Sequence, residues 1–167
     1  PDHGGGHLPD YNVYAPCFGP DGRIVAIQAL QAHQGDTGGK DPGGFSVDAV
    51  EIYQEGVLIP PVKLFERGKL RQDVVDILLA NSRLPGSAWG DLNGQINALD
   101  IGMKRLDALL AEYGDATVAG AFGELTARAA QLMRAEIAAL PDGTVSTEDW
   151  LDNDGVTDSP LKVALDL

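Results

Sequence analysis

The sequence predicts an α+β fold: short β-strands and Gly-rich loops, followed by a long antiparallel helical hairpin and returning strands. Three observations carry this. Residues 1–68 hold 12 of the 21 Gly and 7 of the 10 Pro, the punctuation of short strands and ordered loops. Between about residues 70 and 140, apolar residues recur at steps of three and four, the spacing of a helix with one buried face. A period of two then returns near residues 144–150 and 161–167.

The elements follow in order. Residues 11–17 and 23–31 are rich in β-branched and aromatic side chains and flank Gly19-Pro20-Asp21-Gly22, a turn of fixed or positive φ, so they predict a hairpin. Residues 33–56 are Gly-rich and too long for a tight turn, which predicts a functional loop packed on other elements. Val74, Val75, Ile77, Leu78 and Leu79 predict a short helix over 72–81. Leu92, Ile96, Leu99, Met103, Leu106, Leu110 and Tyr113 predict a long one that stops at Gly114. A third helix is expected from Asp115 to Leu140, ended by Pro141, and its short link to the second predicts the antiparallel hairpin. The expected regions are 1–68 with strands, loops and the candidate site, 69–141 helical, and 142–167 the start of a further β region. The chain opens at Pro1 without an initiator Met and closes on the alternating run Leu161–Leu167. It is therefore read as a segment of a longer protein.

Composition excludes several functions. With 12 Lys and Arg against 25 Asp and Glu, the formal charge is −13, which repels phosphate backbones and anionic lipid and argues against nucleic-acid or membrane binding. The single Cys17 has no internal disulfide partner, and no signal pattern opens the chain, so a reducing cytoplasmic setting is expected. Two motifs fail on inspection. Gly35–Asp41 is similar to a phosphate loop, but Gln34 stands where the first Gly belongs and Asp41 where a hydroxyl should hold magnesium. Asp152-Asn153-Asp154-Gly155 is similar to a calcium loop, but the register puts Trp150 and Leu161 at the two end ligand positions.

One constellation survives. His7 and Asp10 lie three residues apart around the rigid Pro9, and His33 ends the second strand of the predicted hairpin, where antiparallel pairing returns it beside Asp10. This mixed nitrogen and oxygen set suits Zn²⁺, Mn²⁺ or Fe²⁺ with a position open to water. Asp36 is a fourth ligand, a partner orienting a histidine, or a general base. His3, beyond the glycines, is a spare.

Gly4–Asp10, Ala32–Gly39, Glu51–Leu64, Leu79–Arg83, Gly90–Ile96 and Glu148–Gly155 together resemble the hydantoinase B/oxoprolinase family, in order and over almost the whole chain. The resemblance implies a two-component, ATP-dependent enzyme. A hydantoinase A-type partner with an actin-like ATPase fold phosphorylates a substrate carbonyl, and the B component receives the activated intermediate in a hetero-oligomer. It also implies a metal protein whose ligands match His7, Asp10 and His33, with a further acidic ligand upstream of residue 1.

On this reading the chain belongs to the catalytic component of a cyclic amide hydrolase. His7, Asp10 and His33 hold a divalent ion, and Asp36 accepts a proton. Glu51 and Glu55 are left between lining the pocket and fixing the loop. The rivals are a subunit of a related acetone or acetophenone carboxylase and a non-catalytic assembly module.

Overall fold

The computed structural model describes residues 6–167. The described residues are α+β, with short antiparallel strands and three α-helices. They form two compact units, one ending at Asp115 and the other running from Ala116 to Leu167.

The first unit begins with the hairpin of β1 (Asp10–Phe18) and β2 (Ile24–His33). In the turn, Gly22 N–H donates to the Gly19 carbonyl at 2.9 Å, and Asp21 accepts from the backbone N–H of Arg23 at 3.0 Å. The register runs from Cys17 opposite Ala26 to Asp10 opposite His33, with an irregularity at Cys17/Phe18. Alternation along β1 buries Cys17 while Tyr14 and Phe18 stay exposed, as period two requires.

Beyond β2 the chain forms the expected long loop, broken by one 3₁₀ turn at Ile52–Gln54. A small hairpin of β3 (Phe65–Glu66) and β4 (Lys69–Leu70) follows. It straddles residue 68, where the composition changes, and its two-residue strands are too short to leave a sequence pattern.

Helix α1 (Gln72–Ala80) buries Val75, and α2 (Pro85–Tyr113), whose buried residues are Leu92, Gln95 and Leu110, packs against both strands of the first hairpin. The start of α2 precedes its first periodic apolar residue. Pro85 in the first turn, where a missing N–H costs nothing, accounts for the earlier start.

The loop is fixed by close backbone approaches. Lys40 N–H donates to the Gln54 carbonyl at 2.7 Å, and Val57 N–H to the Thr37 carbonyl at 3.1 Å. Gly39 has φ 85°, and a Cβ there would lie 2.6 Å from the Gln54 carbonyl oxygen and 2.8 Å from the Gly56 nitrogen. Because those neighbours are backbone, they cannot rotate aside. Gly39→Ala is expected to destabilise the intact protein by about 1–3 kcal/mol from backbone strain alone. An unchanged urea midpoint would refute this packing.

In the second unit, α3 (Asp115–Ala139) is followed by the hairpin of β5 (Ser146–Leu151) and β6 (Leu161–Asp166). Its link is shaped by Asp154, which accepts from the N–H groups of Val156 and Thr157 at 2.9 and 2.6 Å. Val118 is buried, whereas Phe122, Leu125, Leu132, Met133 and Ile137 are exposed. The predicted hairpin of α2 and α3 spans both units.

Candidate functional site

The site is built at the open end of the first hairpin. From the turn the two strands run out to the Asp10–His33 pair. The side chains meet there, with His33 Nδ1 2.7 Å from Asp10 Oδ1. Asp10 Oδ2 accepts from Gln31 Nε2 at 3.0 Å and from the backbone N–H of His7 at 3.4 Å. The bond to His33 is the main cause that lowers the Asp10 carboxyl below its ordinary value; desolvation opposes it. With Nδ1 committed to Asp10, Nε2 is the nitrogen of His33 left for a ligand.

His7 reaches the same place from the turn before β1, where Asp10 N–H donates to the His7 carbonyl at 3.0 Å. The ring of Phe45 lies 5.5 Å from that of His7, tilted, and 5.3 Å from that of His33, stacked at 21°. The residue before Phe45 is Gly44. That glycine has φ 72°, and a Cβ on it would lie 2.7 Å from Pro9 Cγ and 2.9 Å from the Glu55 carbonyl oxygen.

The three expected ligands therefore share one neighbourhood. Among the described residues, however, no three His, Cys, Asp or Glu side chains converge in metal-binding geometry. Two imidazoles and a carboxylate, the latter paired with His33, are donor types that a divalent ion takes. His3 lies outside the described residues.

Asp36 stands in a different setting. It is 3% exposed, and Oδ2 accepts from the backbone N–H of Arg83 at 2.5 Å while Oδ1 accepts from the Arg83 guanidinium at 2.7 Å. Gly43 N–H adds a longer bond of 3.4 Å, and the same guanidinium donates to the Gly39 carbonyl at 2.6 Å. Burial is the largest single influence and opposes ionisation. The Arg83 backbone and guanidinium bonds, with that of Gly43, outweigh it and hold the carboxyl below its ordinary value. Tyr11 is pushed up to about 12, by burial first and by the charge of Asp36 second. A carboxylate so engaged has little capacity left for an incoming proton.

Glu51 is exposed at the start of the 3₁₀ turn, and Gln54 Oε1 accepts from its N–H at 3.4 Å. Glu55 is half-buried, and its backbone is what Gly39 and Gly44 press against. Both take part in fixing the loop through the main chain.

Sequence reasoning gave no role to Arg83, Phe45, Gln34 or Gln95. Gln34 and Gln95 are 0% and 3% exposed and joined by a 3.2 Å bond from Gln34 Nε2 to Gln95 Oε1. The usable signal was a Gln three residues after Leu92 on the apolar face of a helix, where a polar side chain needs a partner.

A family model for hydantoinase B/oxoprolinase matches residues 1–167. The chain belongs to this family. It is 39% identical over 155 residues to the beta chain of a caprolactamase of Pseudomonas jessenii, covering 93% of this chain and 26% of the relative. It is 36% identical over 163 residues to the B-type component of a putative D-/L-hydantoinase of a Pseudomonas species, covering 97% and 27%. The crystal structure of the ATP-dependent caprolactamase from Pseudomonas jessenii superimposes with a TM-score of 0.79 at 40% identity, over 88% of this chain and 25% of that one. This member of the hydantoinase B/oxoprolinase family thus spans about a quarter of the length of these relatives. No helix among the described residues is long and apolar enough to cross a membrane.

Proposed function

We propose that the chain is part of the B-type catalytic component of an ATP-dependent cyclic amide hydrolase, working in a cytoplasmic hetero-oligomer with a hydantoinase A-type ATPase. The observation that carries this reading is the 40% identity and TM-score of 0.79 to an ATP-dependent caprolactamase, whose name denotes action on a cyclic amide.

A ring amide is a poor electrophile. Transfer of the γ-phosphoryl group of ATP to its oxygen on the partner releases ADP and leaves an imidate open to water. Addition of water and rupture of the ring C–N bond give an acyl phosphate, which a second water hydrolyses. The sum is amide, ATP and two waters to open-chain amino acid, ADP and phosphate.

His7, Asp10 and His33 would hold a divalent ion, Zn²⁺, Mn²⁺ or Fe²⁺, which when bound supplies the charge that acidifies water. Asp10 orients the His33 ring through Nδ1. Phe45 offers an apolar ring face beside both imidazoles. Asp36, given the role of proton acceptor by the sequence reading, is proposed instead to anchor the loop through Arg83.

The test is ATP turnover by the intact complex with lactams, hydantoins, 5-oxoproline and aryl or alkyl ketones, with and without bicarbonate. Ring opening with stoichiometric ADP formation, independent of bicarbonate, is expected for at least one cyclic amide. Turnover of a ketone only when bicarbonate is present would replace the hydrolase by a carboxylase. Failure of every substrate to stimulate ATP turnover would favour an assembly module.

A further inference from the structure

Helix α2 carries one polar residue among its buried positions. Gln95 is 3% exposed and lies between Leu92 and Leu110 in the chain. Its carboxamide has both ends committed: Oε1 accepts from Gln34 Nε2 at 3.2 Å, and Nε2 donates to the Tyr11 carbonyl at 2.9 Å.

The positions of those two partners matter. Gln34 directly follows His33, and Tyr11 directly follows Asp10. Behind them, the Pro9 carbonyl accepts from the backbone N–H of both Gln34, at 2.8 Å, and Tyr11, at 3.0 Å. The Asp10–His33 pair is therefore bracketed by a backbone carbonyl on one side and a helix side chain on the other. A buried amide or carbonyl left unpaired costs about 1–3 kcal/mol, so the two bonds, which pair Gln95 Oε1 with Gln34 Nε2 and Gln95 Nε2 with the Tyr11 carbonyl, favour the observed seating of α2 on the hairpin, while Gln34 Oε1 is buried without a partner.

We propose that Gln95 is a positioning residue that sets the Asp10–His33 pair for ligand binding, acting through Tyr11 and Gln34 without touching the ligand itself. This rests on the metal reading of His7, Asp10 and His33. Gln95→Leu removes both bonds at similar volume, while Gln95→Glu keeps the acceptor for Gln34 and loses the donor to Tyr11. Leu92→Ala is the control, since it opens a cavity on the same helix and touches neither partner bond.

Two measurements on the intact protein decide the matter. The first is Co²⁺ affinity with the visible spectrum of the cobalt protein. Gln95→Leu should weaken binding about 10- to 100-fold, the range for loss of an orienting partner, and shift the spectrum. Gln95→Glu should fall between it and wild type. Leu92→Ala, though thermally destabilised, should stay close to wild type in both.

The second is the ¹⁵N shifts of the His33 imidazole without metal, assigned by His33→Gln. Gln95→Leu should change the Nδ1 signal that reports the bond to Asp10, and Leu92→Ala should not. Equal effects of Gln95→Leu and Leu92→Ala would show that Gln95 merely packs and would overturn the proposal. Absence of Co²⁺ binding by wild type would remove the metal reading alone, and the imidazole comparison would still decide for or against Gln95.

Discussion

The combined replacement of His7, Asp10 and His33 by alanine is expected to strip the intact protein of the divalent ion proposed for this site. Metal content should fall from about one ion per chain, the occupancy of a single mixed His and carboxylate site, to background. Elemental analysis of protein purified without chelator measures this, and equal content in wild type and the triple variant would refute the assignment.

Asp10→Asn probes the same site more finely. The amide oxygen can still accept from Gln31 Nε2 and the His7 N–H, the bonds seen at 3.0 and 3.4 Å, but the charge that orients His33 is gone. Affinity should drop about 10- to 100-fold. The fold should survive, since the imidazole side of the pair is open to solvent, with 42% of the His33 side chain exposed.

The second large effect is expected at Arg83. Arg83→Ala leaves the Asp36 carboxylate, of which only 2% of the side chain is exposed, with backbone N–H donors and no countercharge. Breaking a buried pair from one side costs about 3–5 kcal/mol. Solvent around the half-exposed guanidinium places the loss near the lower end, about 3 kcal/mol. Asp36→Asn should cost less, about 1–3 kcal/mol, because it leaves a neutral group behind.

The effect of Asp36→Asn also depends on pH. The folded state holds the Asp36 carboxyl below its ordinary value of 3.8, so its stabilisation is fully present above that value and is lost as pH falls through the lower, folded one. Wild type and Asp36→Asn should therefore differ in urea midpoint at neutral pH and converge in strong acid. A constant difference across that range would show that the Asp36 charge contributes nothing.

The parts of the fold that were legible were those written in local chemistry. Gly19-Pro20-Asp21-Gly22 marks a turn by backbone preference alone, and two β-rich arms on either side then leave His33 near Asp10. The helix ends at Gly114 and near Pro141 were legible for the same reason. What the sequence concealed was set by packing. Asp36 lies three residues after His33, and spacing suggested a shared site. The chain leaves the sheet after His33, however, and the carboxylate is claimed by Arg83 from 47 residues away. Gln95 looked like one polar letter in a helical pattern. Its role exists only once α2 lies across the hairpin.

These separations bear on the order in which the protein assembles. The bond from His33 to Asp10 closes 23 residues of chain, that from Arg83 to Asp36 closes 47, and that from Gln95 to Tyr11 closes 84. Each closure must be met by contacts already in place, since loop entropy is lost before the bond is gained. The hairpin can bring the first pair together early. The loop clamp and the helix tether must wait for α1 and α2 to dock. Competence to bind an ion should then appear late in refolding, after the bulk of helical signal has returned, and time-resolved metal uptake would serve as a clock for the last step of folding.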